Sequence, residues 1–176
     1  GDARRAREAF TGGMRAQSRQ EEWANAASHA LGVLLALAAW PWLAAAASRQ
    51  GGRIGEAAMG LFLATMVLQY GISTLYHALP PGRGKLWARA ADHAAIFIFI
   101  AGSYTPFALG QIQRGEGWSM LAAVWGIALL GMMLKLSDRL RHPVFSTALY
   151  LAFGWMVVVV ARPMLESLPP LGLQYL

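Results

Sequence analysis

Long apolar blocks alternate along this chain with short polar breaks rich in glycine and proline. Within each block the apolar residues occupy all sides of a helix instead of recurring as one stripe. That pattern suits helices surrounded by hydrocarbon better than helices packed on a single soluble core. Five blocks stand out, at 26–47, 54–78, 86–109, 118–136 and 144–161. Each is near the ~20 residues that cross ~30 Å of hydrocarbon as a helix. The breaks are Ser48-Arg-Gln-Gly-Gly-Arg53, Pro80-Pro-Gly-Arg-Gly-Lys85, residues 111–117 and residues 137–143. The pattern predicts an all-α fold, a polytopic transmembrane bundle over 23–176 preceded by a basic segment at 1–22. Pro41 and Pro106 each remove one backbone hydrogen bond inside a block and favour a kink. Pro163, Pro169 and Pro170 interrupt the tail.

Composition sharpens this picture. Of 176 residues, 56% are hydrophobic and only 14% charged, where a soluble domain averages nearer ~25% charged. There is no cysteine, so disulfides and thiolate metal sites are excluded. The net charge of +6 does not indicate a nucleic-acid partner, because the basic residues fall in the breaks between blocks. Membrane lipids are the expected partners, and oligomeric state is not legible. Counted in alternate breaks, the N-terminal segment and the breaks after blocks two and four hold eleven Lys and Arg, and the others hold four. The richer set is expected in the cytoplasm, which places the N-terminus and the 80–85 turn inside. The first apolar block is too long for the core of a signal peptide.

Ionisable groups within such blocks are costly to bury and mark candidate chemistry. Ser73 and His77 are four apart and share a helix face, with Tyr70 on the same face. Asp92, Phe99 and Ser103 form a stripe on block three, and Glu22, Asn25, His29 and Gly32 form another at the start of block one. Three helices thus bring polar groups to one end of the bundle. Metal-assisted hydrolysis is the chemistry they suit: His77 as a zinc ligand, Asp92 to position or deprotonate a water, and Ser73 to hold Asp92, the water or a substrate oxygen. Plainer roles fit as well. His77, His29 and His93 each suit a pairing with a neighbouring helix, Asp92 a structural partner in Arg89 or His29, and Glu22 a first-turn acid favoured by the helix dipole. His142 and Asp138 read as loop residues, and the Trp and Tyr residues as interfacial anchors.

Glu22-x-x-Asn25-x-x-Ser28-His29-x-x-Gly32, then Ser73-x-x-Tyr76-His77, then Lys85, Asp92-His93 and Ile100-Ala-Gly-Ser-Tyr-Thr-Pro106 resemble the three ordered motifs of the bacterial hemolysin III proteins. These belong with the progestin and adiponectin receptors and are more distantly similar to alkaline ceramidases. The resemblance implies a seven-helix protein of the bacterial inner membrane, with its N-terminus inside and a zinc site near the cytoplasmic surface. It implies that His77 is a zinc ligand, with Ser73 and Asp92 beside the metal. The chain departs from the family in one respect. The family's H-x-x-x-H pair is absent, since the histidines are His29, His77, His93 and His142 and none are four apart. With five blocks against the seven helices the resemblance implies, the chain is expected to be truncated at its C-terminus. Three functions follow as expectations: a zinc-dependent hydrolase of a lipid amide or ester, a cytolytic or pore-forming protein, and a lipid sensor or receptor-like protein.

Overall fold

The computed structural model describes residues 17–110, 117–137 and 143–165. Residues 1–16, the break at 111–116, the loop at 138–142 with Asp138 and His142, and the tail from 166 lie outside the described residues. Among those described, four helices account for the regular structure: α1 (Arg19–Ala78), α2 (Arg83–Gly110), α3 (Gly117–Leu136) and α4 (Pro143–Leu165).

Blocks one and two fall on a single element, α1, which is folded back on itself. A straight helix would hold Glu22 and His77 about 80 Å apart, yet their side chains meet at 2.8 Å. The reversal is at Gly52, whose φ of 58° and ψ of −147° interrupt the helix. An L side chain adopts that conformation only with strain, whereas glycine does so freely. The two arms of α1, residues 19–51 and 53–78, therefore run antiparallel. α1 also begins several residues before block one. Ser18 caps it, with Ser18 Oγ accepting from the Glu21 amide and the Glu21 carboxylate accepting from the Ser18 amide. This capping box draws the polar residues 19–25 into the helix, where hydropathy alone leaves them as a leader. The helices also continue through Pro41 and Pro106.

α2 is the central helix and packs on α1, α3 and α4. Its Phe97, Ala101 and Tyr104 form a buried core with Val124 and Ala128 of α3 and Phe153 of α4. Two close approaches depend on glycine. A Cβ on Gly102 would collide with the Thr65 side chain of α1, and one on Gly131 would lie 2.5 Å from the Phe97 ring. Polar side chains add three ties. The Tyr104 hydroxyl is directed at the carbonyls of Phe153 and Gly154, Trp125 Nε1 donates to Thr105 Oγ1, and the Tyr150 hydroxyl donates to the His93 carbonyl.

The outer surface is apolar. Leu34, Leu35, Trp42, Met133, Val144, Phe145 and Leu151 are all exposed. α1 and α3 are long and apolar enough to cross a membrane, and only 6% and 17% of their most apolar windows are buried within the protein. Helices this apolar and this exposed require a hydrocarbon solvent. The fold is thus an all-helical membrane bundle.

Candidate functional site

The polar groups gather at the end of the bundle where α1 starts, where its second arm finishes and where α2 begins. Glu22 stands at their centre. Its Oε2 lies 2.8 Å from His77 Nδ1 and its Oε1 lies 2.8 Å from Lys85 Nζ. Lys85 is only 3% exposed. It also donates to the Leu79 carbonyl at 3.2 Å and sits 5.2 Å from the centre of the Tyr76 ring. A buried ammonium needs such a shell, because each lost partner leaves it desolvated without compensation. One carboxylate thus ties the first arm of α1 to its second arm and to the start of α2. Burial works to raise the Glu22 carboxyl, but the hydrogen bonds from Lys85 and His77 outweigh it and hold it below its ordinary 4.5.

The ionised Glu22 carboxylate only accepts hydrogen bonds, so the hydrogen between it and His77 sits on Nδ1. In the neutral ring Nε2 then carries the lone pair, free to take a proton or a metal ion. The His77 ring also meets two other rings. Tyr76 lies 4.5 Å away and His29 stacks on it at 5.6 Å with the ring planes 10° apart. The rings continue inward through Tyr70, Phe99 and Phe62, each about one ring-stacking step from the last. Gly32 admits this column, since a Cβ there would lie 2.9 Å from Tyr70 Cδ2.

Asp92 is buried on α2, and its Oδ1 accepts from Gln69 Nε2 at 3.1 Å. Gln69 lies one turn before Ser73 and two turns before His77, so all three share a face of α1. Ser73 is buried, and His29 lies within electrostatic reach of both Asp92 and His77. Glu22, His29, Ser73, His77 and Asp92 therefore all belong to the seam between α1 and α2. Two other candidates do not join them. Asn25 hydrogen-bonds Gln17 and accepts through its carbonyl from Ser28. His93, one residue past Asp92, lies on the side of α2 that meets α4, where its carbonyl accepts from Tyr150.

A family model described as Haemolysin-III related matches residues 17–175. The chain belongs to the Haemolysin-III related family. Its relatives include a hemolysin-3 homolog of Bacillus subtilis (strain 168), 36% identical over 89% of this chain and 74% of the relative. Another is hemolysin-3 of Bacillus cereus, 34% identical over 89% of this chain and 72% of the relative. No solved structure matches the chain. For a haemolysin-III related protein the resemblance above implies zinc, and the described residues do not assemble a site for it. No group of three His, Asp or Glu among them could hold a metal ion. His77 Nε2 and the Asp92 carboxylate are donors of suitable chemistry, but two such donors fall short of a catalytic zinc's three.

Sequence reasoning missed two residues. Lys85 stands in the basic turn and in the third motif with no role assigned to it, yet it is buried and paired. Gln69 is the partner of Asp92, and its signal was present as a polar residue four before Ser73 in an otherwise apolar block.

Proposed function

We propose that this protein is a membrane-embedded hydrolase of a lipid amide or ester, acting at the end of the bundle that holds Glu22, His77 and Asp92. The observation that carries the reading is the buried Asp92 carboxylate, set in an apolar bundle and fixed by Gln69. Buried ionisable groups inside membrane helices are costly, and function is the usual reason they persist. Asp92 is the general base. It accepts a proton from a water whose oxygen attacks the acyl carbon, and the proton passes to the departing amine or alcohol as the C–N or C–O bond breaks. Glu22 and Lys85 hold His77 in one tautomer and orientation at the rim. Ser73 is the hydroxyl available to a substrate oxygen.

The five blocks each cross the membrane in this proposal, the membrane is the bacterial inner membrane, and the N-terminus faces the cytoplasm. The excess of Lys and Arg in alternate breaks supports that orientation. The site then opens to the cytoplasmic leaflet, where lipid carbonyls lie. Zinc enters only through the test, because the described donors do not complete a site. The protein in phospholipid nanodiscs is offered a panel of lipid amides and esters, with and without chelator. Turnover lost in Asp92→Ala supports the reading, and turnover unchanged in that variant sinks it. Loss on chelation, with rescue by zinc, adds the metal.

Permeabilisation is the second reading, favoured by the hemolysin name carried by the two relatives. Dye release from liposomes that persists in Asp92→Ala and His77→Ala, with no lipid consumed, would support it. A lipid sensor, the third expectation, predicts a lipid that raises Tm and is not consumed.

A further inference from the structure

Gln69 is half-embedded in the seam between the second arm of α1 and α2, and its two amide ends meet different fates. Nε2 donates to Asp92 Oδ1 at 3.1 Å. Oε1 is buried and meets no hydrogen-bond donor among the described residues. It is the one buried side-chain polar atom of which this is true there. The orientation of the amide follows from chemistry. An ionised carboxylate accepts only, so the NH2 end must be the one that meets Asp92 Oδ1, which leaves the carbonyl as the end without a donor. Leaving a buried carbonyl without a donor is unfavourable, and such atoms in native proteins generally await a water, a ligand or a catalytic partner.

We infer that Gln69 is a positioning residue for Asp92 whose buried carbonyl receives one hydrogen-bond donor, either the attacking water or an N–H or O–H of the lipid substrate. The inference rests on the hydrolase reading and deepens it. Pinned at Oδ1 by Gln69, the Asp92 carboxylate keeps Oδ2 for the proton it accepts. A donor between Oδ2 and Gln69 Oε1 would be held by two acceptors. A water so held, donating one hydrogen to each, keeps its lone pairs directed away from both and available to attack an acyl carbon. A substrate N–H so held would place its own carbonyl next to the base. Both sources present the same chemistry to Oε1, a single donated hydrogen. The spacing Gln69, Ser73, His77 then gives three consecutive turns of one helix distinct tasks: donor capture, oxygen contact and the rim imidazole.

Gln69→Met tests this, because methionine matches the length of glutamine without its polar atoms. The full chain is used in nanodiscs, with a long-chain N-acyl amide and its N-methylated twin as probes. The variant loses the bond to Asp92 and also loses the unsatisfied carbonyl, so Tm is expected to stay within a few degrees of wild type. Turnover of the N-acyl amide is expected to fall about tenfold, the order of one hydrogen bond to a charged or reacting group. If water is the donor, kcat falls and KM holds. If the substrate N–H is the donor, KM rises for the N–H probe, and the preference for it over the N-methylated twin disappears. A large fall in Tm would show that Oε1 is already satisfied within the fold and would overturn the inference, as would unchanged kcat and KM. Wild-type protein that turns over neither probe nor any lipid of the panel defeats the hydrolase reading instead. Gln69 is then judged on Tm and on probe binding: retained stability with selective loss of N–H probe binding supports an open acceptor, and any other result overturns it.

Discussion

Replacing Glu22 with alanine removes the one group that joins three chain segments at the candidate site. The consequences can be worked from its contacts. Lys85, 3% exposed, would lose its carboxylate partner at 2.8 Å and keep carbonyl acceptors at Leu79 and, at 3.5 Å, His77. His77 Nδ1 would lose its acceptor. Breaking a buried ion pair by deleting one partner costs ~3–5 kcal/mol. Two features reduce that figure here: the Glu22 side chain is 18% exposed, and Lys85 retains carbonyls. We expect a loss of about 2–3 kcal/mol, a fall in Tm of roughly 5–10 °C for a chain of this size. Glu22→Gln, which keeps the shape and one acceptor, should lie between. The effect depends on pH with a definite sign. Because the folded Glu22 carboxyl is held below its ordinary 4.5, its contribution is complete above that value and is lost as pH falls through the lowered one. The gap in Tm between wild type and Glu22→Ala should therefore be constant near neutrality and close in acid. Thermal unfolding in nanodiscs, followed by tryptophan fluorescence at a series of pH values, measures both. Equal Tm for the two proteins at pH 7, or a gap that widens in acid, would refute the reasoning.

Other perturbations have equally definite outcomes. Gly52→Ala forces an L residue into the conformation that reverses α1, and should cost about 1–3 kcal/mol by thermal unfolding, since no atom lies near enough to add a clash. Gly102→Val drives side-chain atoms into Thr65 at the seam of α1 and α2 and should lower Tm through overpacking by about 1–3 kcal/mol or more, whereas Gly126→Ala, where a Cβ meets open space, should be neutral or stabilising. Asp92→Asn should abolish lipid turnover while leaving stability equal or up to about 1 kcal/mol better, because an amide at 92 offers Gln69 Oε1 the donor it lacks and spares the site a buried charge.

Much of this architecture is legible in the sequence. Block length and hydropathy gave helices with ends close to those observed for α2 and α3, because a helix in hydrocarbon must satisfy its backbone internally and stops where polar residues begin. Across the Pro80-Pro-Gly turn, Asp92 meets Gln69, one turn before Ser73 on the same face, and His77 meets Glu22. Other features depend on partners far apart in the chain. The sequence shows Lys85 only as a charge next to a turn. Its burial follows from Glu22, more than sixty positions earlier, arriving through the α1 hairpin. Asp92 has two plausible partners, Arg89 on its own helix and His29 on α1, and helical spacing gives no reason to prefer Gln69 across the seam. The start of α1 was missed for a different reason: hydropathy does not register a capping box, and residues 19–25 are polar yet helical.

The most direct test of the central claim is isotope incorporation from solvent. The protein in nanodiscs is incubated with a lipid amide or ester in water enriched in oxygen-18, and the released fatty acid is weighed by mass spectrometry. Hydrolysis based on Asp92 predicts one heavy oxygen in each released carboxylate, with release lost in Asp92→Ala. Release that continues in Asp92→Ala, or membranes that leak while every lipid stays intact, would contradict it.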